Sequence, residues 1–168
     1  LVFDGACAET LGEEGAGWTA VESLMNTAAV LFAWEQIGIA DKALEQAREY
    51  ALGRFAFGRS IASYQAIKHK LAKMYVKNTL ARSNAYYGAW ALNAKASDLA
   101  VASATSRVAA IQASLFAAEE NIQTHGGMGF TWEFNCHLYY RRAQLLSTLI
   151  GALPVWKEKL TTALLHAA

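Results

Sequence analysis

The stretch Glu119-Glu120-Asn121-Ile122-Gln123-Thr124-His125-Gly126-Gly127-Met128-Gly129-Phe130 sets the reading of the whole chain. A helical pattern runs into it and stops at Gly126-Gly127. A glycine pair there fits a helix C-cap, where a residue must adopt positive φ. The same cluster also suits a close approach of backbone to a ligand. Gly126, Gly127 and Gly129 have no side chain to block it, the first two present bare N–H groups, and Gln123 and His125 add polar side chains.

Working outward, the helix that ends there covers about 99–125, with Val101, Val108, Ile111, Leu115 and Ile122 at helical spacing. Alanine and serine fill most of the rest, which predicts a slim helix at the centre of a bundle. Ala96-Ser97-Asp98 reads as a turn and N-cap. Before it, a helix over about 64–94 carries Ile67, Leu71, Met74, Asn78, Ala81, Ala85, Gly88 and Leu92 inward, with Lys70, Lys73 and Lys77 on a solvated face. A break at 53–63 separates it from a first helix over about 19–52, opened by a capping box from Thr19 to Glu22. That helix has one stripe of Val21, Leu24, Ala28 and Leu31 and another of Ile37, Ala40, Leu44, Ala47 and Ala51. Glu45 and Arg48 are spaced to pair, and Gly38 predicts close approach of a neighbouring helix.

Downstream of the glycines a loop covers 128–136, then a helix over about 136–149 with Leu138, Leu145 and Leu149 inward and Arg141-Arg142 between them. Gly151 breaks it, and a last helix starts near Pro154 with Val155, Trp156, Leu160 and Leu164. At the other end, residues 1–5 read as the end of a strand followed by a turn, and 6–17 as a glycine-bearing loop. The expected fold is all-α: an antiparallel four-helix bundle with a short extra C-terminal helix.

Composition narrows the function. The 168 residues suit one domain, and an alanine-rich 54% hydrophobic content with a single proline favours helix throughout. A net charge of +1 gives no electrostatic case for nucleic acid. Cys7 and Cys136 lack metal-type spacing and predict a reducing, cytoplasmic setting. The uncharged run 24–34 is too short to span a membrane, so no span is expected. The chain opens on Leu1 rather than Met and looks like a piece of a longer protein. A di-iron site would need glutamate three residues before a histidine. Ala66, Ile122, Phe134 and Ala163 hold those places, so no metal site is expected. Glu133 and His137 read as a cap contact, and the five tryptophans and seven tyrosines as packing.

Two segments carry a resemblance. Arg54-x-x-Phe57-Gly58 with Ile61 and Gln65 resembles the RxxFG…Q segment of acyl-CoA dehydrogenases, and Gln123-x-x-Gly126-Gly127-x-Gly129-Phe130 resembles their QxxGGxG(F/Y) segment. One hairpin of long helices separates them, as in that family. Phe3-Asp4-Gly5 and Leu11-Gly12-Glu13 resemble the strand and loop leading out of the family's middle β domain. The resemblance implies that 1–17 is the end of that domain and linker, and that 18–168 is the C-terminal helical bundle. It implies FAD as cofactor, its adenosine diphosphate end held by a neighbouring subunit's bundle through Arg54, Phe57, Gln65, Gln123, Gly126 and Gly127. The chemistry agrees: guanidinium suits a diphosphate, glycine N–H groups suit anionic oxygen, and an aromatic packs on a flat ring.

The implied reaction is α,β-dehydrogenation of an acyl-CoA thioester of a fatty-acyl or sterol-side-chain type. Electron-transfer flavoprotein is the implied partner, and a homo- or hetero-oligomeric dimer or tetramer the implied assembly. A carboxylate must take the α proton. The two places where the family sets that glutamate fall on Ile150 and Ala28, and Arg142 replaces an aspartate of the family. No catalytic residue is therefore assigned. Glu22 and Glu35 lie about two helical turns from Ala28, which leaves Glu133 as the best remaining carboxylate. Three readings follow: an enzyme's flavin-binding domain, a non-catalytic subunit that completes a partner's FAD site, or an interaction bundle without flavin.

Overall fold

The computed structural model describes residues 2–167; Leu1 and Ala168 lie outside the described residues. Five α-helices are present among the described residues: α1 (Gly17–Gly53), α2 (Gln65–Ala94), α3 (Leu99–His125), α4 (Cys136–Thr148) and α5 (Leu153–Ala167). A two-stranded antiparallel hairpin, β1 (Phe55–Ala56) and β2 (Arg59–Ser60), sits between α1 and α2. The bundle expected from the sequence is there, and α3 is its axis, touching α1, α2, α4 and α5.

Small side chains set the packing. The buried seam of α3 runs Ser103, Arg107, Ala110, Ser114, Ala117, Asn121 and Thr124, in steps of four and three. Opposite it, α1 buries Ala29, Ala33, Gln36, Ala40, Ala43, Ala47 and Ala51. The α2 seam is Met74, Asn78, Ala81, Ala85 and Gly88. Such residues let backbones approach closely. At Gly88 a Cβ would lie 2.3 Å from Ser106 Oγ. That hydroxyl is itself 2.7 Å from both Asn84 O on α2 and Ala102 O on α3.

Several sequence expectations are corrected. Residues 2–10 form no strand, because a lone extended segment has no neighbour to pair with. There is no capping box: α1 begins at Gly17 behind Ala16, which makes no side-chain cap. The turn ending at Gly15, φ 87°, delivers the chain into helix before Thr19 is reached. Val21, Leu24 and Leu31 are exposed, because the start of α1 turns its other side inward, with Asn26 accepting from Ser103 Oγ of α3 and Ala29 packed with Ala104 and Trp156. Gly38 is exposed with nothing near its Cβ position, so no helix approaches there. Glu45 pairs with Lys42 at 2.5 Å rather than with Arg48. Asp98 is the N-cap residue of α3 as read, but its side chain makes no capping bond and its carboxylate instead accepts from the Tyr87 hydroxyl.

Lys70 and Lys77 are not simply solvated. The first pairs with Glu120 at 2.6 Å and the second lies 5.1 Å from the Phe116 ring centre. In α4 the buried face is Cys136, Ala143, Leu146 and Ser147, while Leu138, Leu145 and Leu149 are about half exposed. On α5, Trp156 is fully buried but Val155 and Leu164 are not. Trp18, Trp90, Trp132, Tyr75, Tyr86 and Tyr87 also face outward, so aromatic packing accounts for only some of these rings. By length and composition Leu99–Phe130 is apolar enough to cross a membrane, yet half of that segment's apolar window is buried inside the bundle.

Candidate functional site

The site begins where α1 ends. Arg54 leaves the helix in extended conformation, its N–H donating to Tyr50 O at 2.8 Å. The hairpin that follows turns on Phe57 and Gly58, at φ 53° and 76°. Positive φ at both central residues matches the right-handed strand twist. Glycine adopts it freely, but for Phe57 it costs about 1–2 kcal/mol. The Phe57 side chain is 97% exposed. Ile61 N–H donates to Arg54 O at 2.8 Å, and Tyr64 OH to Ala56 O at 3.0 Å. Ser60 Oγ lies 2.7 and 3.1 Å from Ala51 O and Leu52 O, carbonyls left over at the end of α1. The Arg59 guanidinium sits 4.0 Å above the Tyr64 ring. The tip is thus held firmly while its aromatic points outward.

The second half of the site is the end of α3. Gly126 takes φ 61° as the C-cap, its N–H donating to Gln123 O. Both Gly126 and Gly127 are exposed, and a Cβ on either would meet nothing within 4 Å. Gly129 differs. It is buried, and a Cβ there would lie 2.8 Å from Ile122 O and 3.1 Å from His125 Cβ, so its bareness serves packing rather than ligand approach. Beneath the loop, His125 is buried and stacks on Tyr50 at 4.1 Å, with Phe134 at 5.1 Å. Its Nδ1 is 2.9 Å from Asn121 O, which can only accept, so the neutral ring carries its proton on Nδ1. Burial lowers the His125 pKa below its ordinary value, and the bond to Asn121 only partly opposes this.

Arg54, Tyr50 and Ile61 on one side and Thr124, Gly126 and Gly127 on the other enclose an open cleft of about 420 Å³. Arg54 is exposed and has no carboxylate partner among the described residues. Gln123 opens into a neighbouring cavity of about 410 Å³, with Phe130, His137 and Tyr140. Phe57 and Gln65 line neither cavity and are exposed. Of the six residues named from the sequence, the structure brings three together, places Gln123 next door and leaves two on the outer surface.

At the positions that the resemblance assigns to the base, Ile150 is half-buried beside Met25, Val108 and Leu160 over the fully buried Trp156, whose Nε1–H donates to Ile150 O at 3.1 Å. Ala28 is partly buried. Of the nearby acids, Glu35 pairs with Arg142 at 2.6 Å, and Glu133 is exposed in its loop. Glu22 lines a cavity of about 520 Å³ with Asn26, Trp156 and His166. No three His, Cys, Asp or Glu side chains converge as metal ligands among the described residues.

One polar network escaped the sequence reading. Arg107 is fully buried and donates Nη1 to Gln36 Oε1 at 2.6 Å and Nη2 to Leu146 O. Gln36 Nε2 in turn donates to Ser114 Oγ at 3.2 Å. Burial lowers the Arg107 guanidinium to about 10. Spacing could have revealed it, since Arg107 lies four residues after Ser103 and three before Ala110 on the buried seam.

Residues 15–165 match the family model described as "Acyl-CoA dehydrogenase, C-terminal domain". The chain is 44% identical over 123 residues to acyl-CoA dehydrogenase IpdE2 of Mycobacterium tuberculosis, covering 71% of this chain and 36% of that protein. It is 36% identical over 142 residues to acyl-CoA dehydrogenase IpdE2 of Mycolicibacterium smegmatis, covering 84% and 42%. The fold superimposes on butyryl-CoA dehydrogenase from Megasphaera elsdenii with a TM-score of 0.88 at 28% identity, covering 92% of this chain and 40% of that one. The chain therefore spans about two fifths of the length of these relatives. It belongs to the acyl-CoA dehydrogenase family, as the family's C-terminal helical domain.

Proposed function

We propose that this domain serves an FAD-dependent oxidoreductase acting on acyl-CoA thioesters, and that its part is to hold the diphosphate end of a neighbouring subunit's flavin. The observation that carries this is the cleft between Arg54 and Gly126-Gly127, where an exposed guanidinium with no acidic partner among the described residues faces two glycines with open space at their Cβ positions. Those groups fit a diphosphate: Arg54 supplies charge and a planar donor fork, and the glycine loop lets anionic oxygen reach backbone. Phe57, held at positive φ with its ring exposed, is the proposed contact for a flat ring of a partner's ligand. Gln123 and Gln65 are the remaining proposed contacts. When bound, the flavin supplies the acceptor for the β hydride. In the intact assembly, Arg54→Ala lowers flavin occupancy with helix content unchanged by circular dichroism; full occupancy in that variant removes Arg54 from the site.

A second reading concerns the reaction itself. Ile150 and Ala28 cannot accept a proton, and Glu35 is tied to Arg142. This supports a subunit that completes a partner's flavin site while its own substrate side is silent. The test is anaerobic flavin reduction by acyl-CoA thioesters, with the full-length protein alone and then with a related subunit bearing the glutamate. Rapid bleaching in the pure homo-oligomer overturns the silent-site reading and redirects attention to Glu133 or to residues outside this chain.

A further inference from the structure

Arg107 is a fully buried cation with no carboxylate on it among the described residues. Its two donors reach neutral oxygens, its Nε has no partner, and the Phe32 ring centre lies 5.8 Å away. A buried charge so placed is strongly unfavourable unless something compensates it. The compensation lies at the end of α4. The last four carbonyls of a helix lack intrahelical donors. In α4, Leu145 O accepts from Thr148 Oγ1 at 3.1 Å, Thr148 O from Gly151 N–H at 3.1 Å, and Leu146 O from Arg107. A helix C-terminus carries about half a negative charge and favours a partly buried cation by up to ~2 kcal/mol. Arg107 is thus the side-on cap of α4, tied back to α1 through Gln36.

The chain then makes the α4–α5 turn, with Gly151 at φ 107°. Its second anchor is the Trp156 indole on Ile150 O. A Cβ at Gly151 would lie 3.3 Å from that indole nitrogen, so the turn is packed closely against the ring. Two buried donors, one from α3 and one from α5, therefore pin carbonyls on either side of Ser147-Thr148-Leu149. We propose that Arg107 is a positioning residue that fixes the α4–α5 turn and so sets where residue 150 stands. The functional side of this rests on the proposed acyl-CoA reading, in which residue 150 stands where the family sets its base and so would face the substrate.

The experiment is backbone amide exchange in the full-length protein, comparing residues 149–152 with the α2 core and with 126–128. Arg107→Met removes the charge and both donors at similar bulk. It speeds exchange at 149–152 about tenfold, the size expected from losing one cap interaction, while α2 and the glycine loop keep wild-type rates. Arg107→Lys keeps the charge but not the fork, and gives intermediate exchange at 149–152 in a folded protein. Wild-type exchange at 149–152 in Arg107→Met, or an equal rise in every helix, overturns the proposal. If Arg107→Met does not fold, wild-type exchange at 149–152 in Arg107→Lys overturns it. A parallel titration with acyl-CoA, read as perturbation of the flavin spectrum, separates the two levels. No perturbation in the wild-type protein removes the substrate-facing reading, and the exchange data decide the cap without it.

Discussion

The two ends of the bundle are built on opposite plans. At one end, Arg54, Phe57, Gly126 and Gly127 are exposed, and backbone at positive φ keeps the surface open. At the other, Ile150, Trp156 and Arg107 are withdrawn from solvent to differing degrees, and hydrogen bonds from buried side chains lock the α4–α5 turn. The closed end should carry a large share of the stability, because Trp156 buries a large ring and satisfies its N–H at once. The open end is held by local bonds in the hairpin and by the Tyr50–His125 stack beneath the glycine loop, while Arg54 and the two glycines stay exposed. The two ends are thus distinguishable by whether their polar groups find partners within the chain.

The contrast breaks most visibly at Trp156. Trp156→Ala empties a fully buried site and should cost about 3–5 kcal/mol, read as a lower denaturation midpoint; a loss under about 1 kcal/mol would mean that the closed end is not where stability lies. Gly129→Ala probes the boundary between the plans. Its Cβ would press on Ile122 O and Cα, backbone that cannot swing away, so a loss of about 1–3 kcal/mol is expected. The same change at Gly127, where nothing lies within 4 Å, should cost far less.

The smallest effect is an acid one. His125 has its folded pKa lowered by burial. Below its ordinary value the unfolded chain binds the proton first, so the contribution of His125 is complete above about pH 6.5 and is lost as pH falls toward the folded pKa. Lowering pH from 7.5 to 5.5 should speed amide exchange at 126–128 before it changes at 149–152. A His125→Gln variant should lack that step, and an unchanged profile in it would assign the step elsewhere.

Much of this was legible beforehand. The long helices carry spacing and breaks strong enough that α3 ends at His125 as read, and the α1 bound moved only from 19 to 17. Arg54 and Gly126-Gly127 were named from two short local motifs, and the fold brings them to one cleft. What failed was the choice of face. Leu138, Leu145 and Leu149 keep helical spacing yet lie outside, because in a bundle built on alanine the largest apolar residues do not mark the seam. Arg107 was missed for the related reason that an arginine is normally read as surface. Only its place in the steps of four and three showed otherwise. Glu45 chose Lys42 over Arg48 because both lie within reach on one turn, and spacing alone does not rank them.

The alanine seam also constrains how this sequence can drift. Ala33, Ala40, Ala43, Ala47, Ala85, Ala110 and Ala117 have nowhere to go but upward in size or to glycine. The first wedges neighbouring helices apart, and the second weakens the helix by about 0.5–1 kcal/mol. A leucine core absorbs neutral substitutions by trading methyl groups among neighbours, whereas here nearly every step along the seam is downhill for the fold. Variation among descendants of this chain should therefore collect on the outward aromatics such as Tyr75, Tyr86 and Trp90, while the plainest residues in the sequence stay fixed.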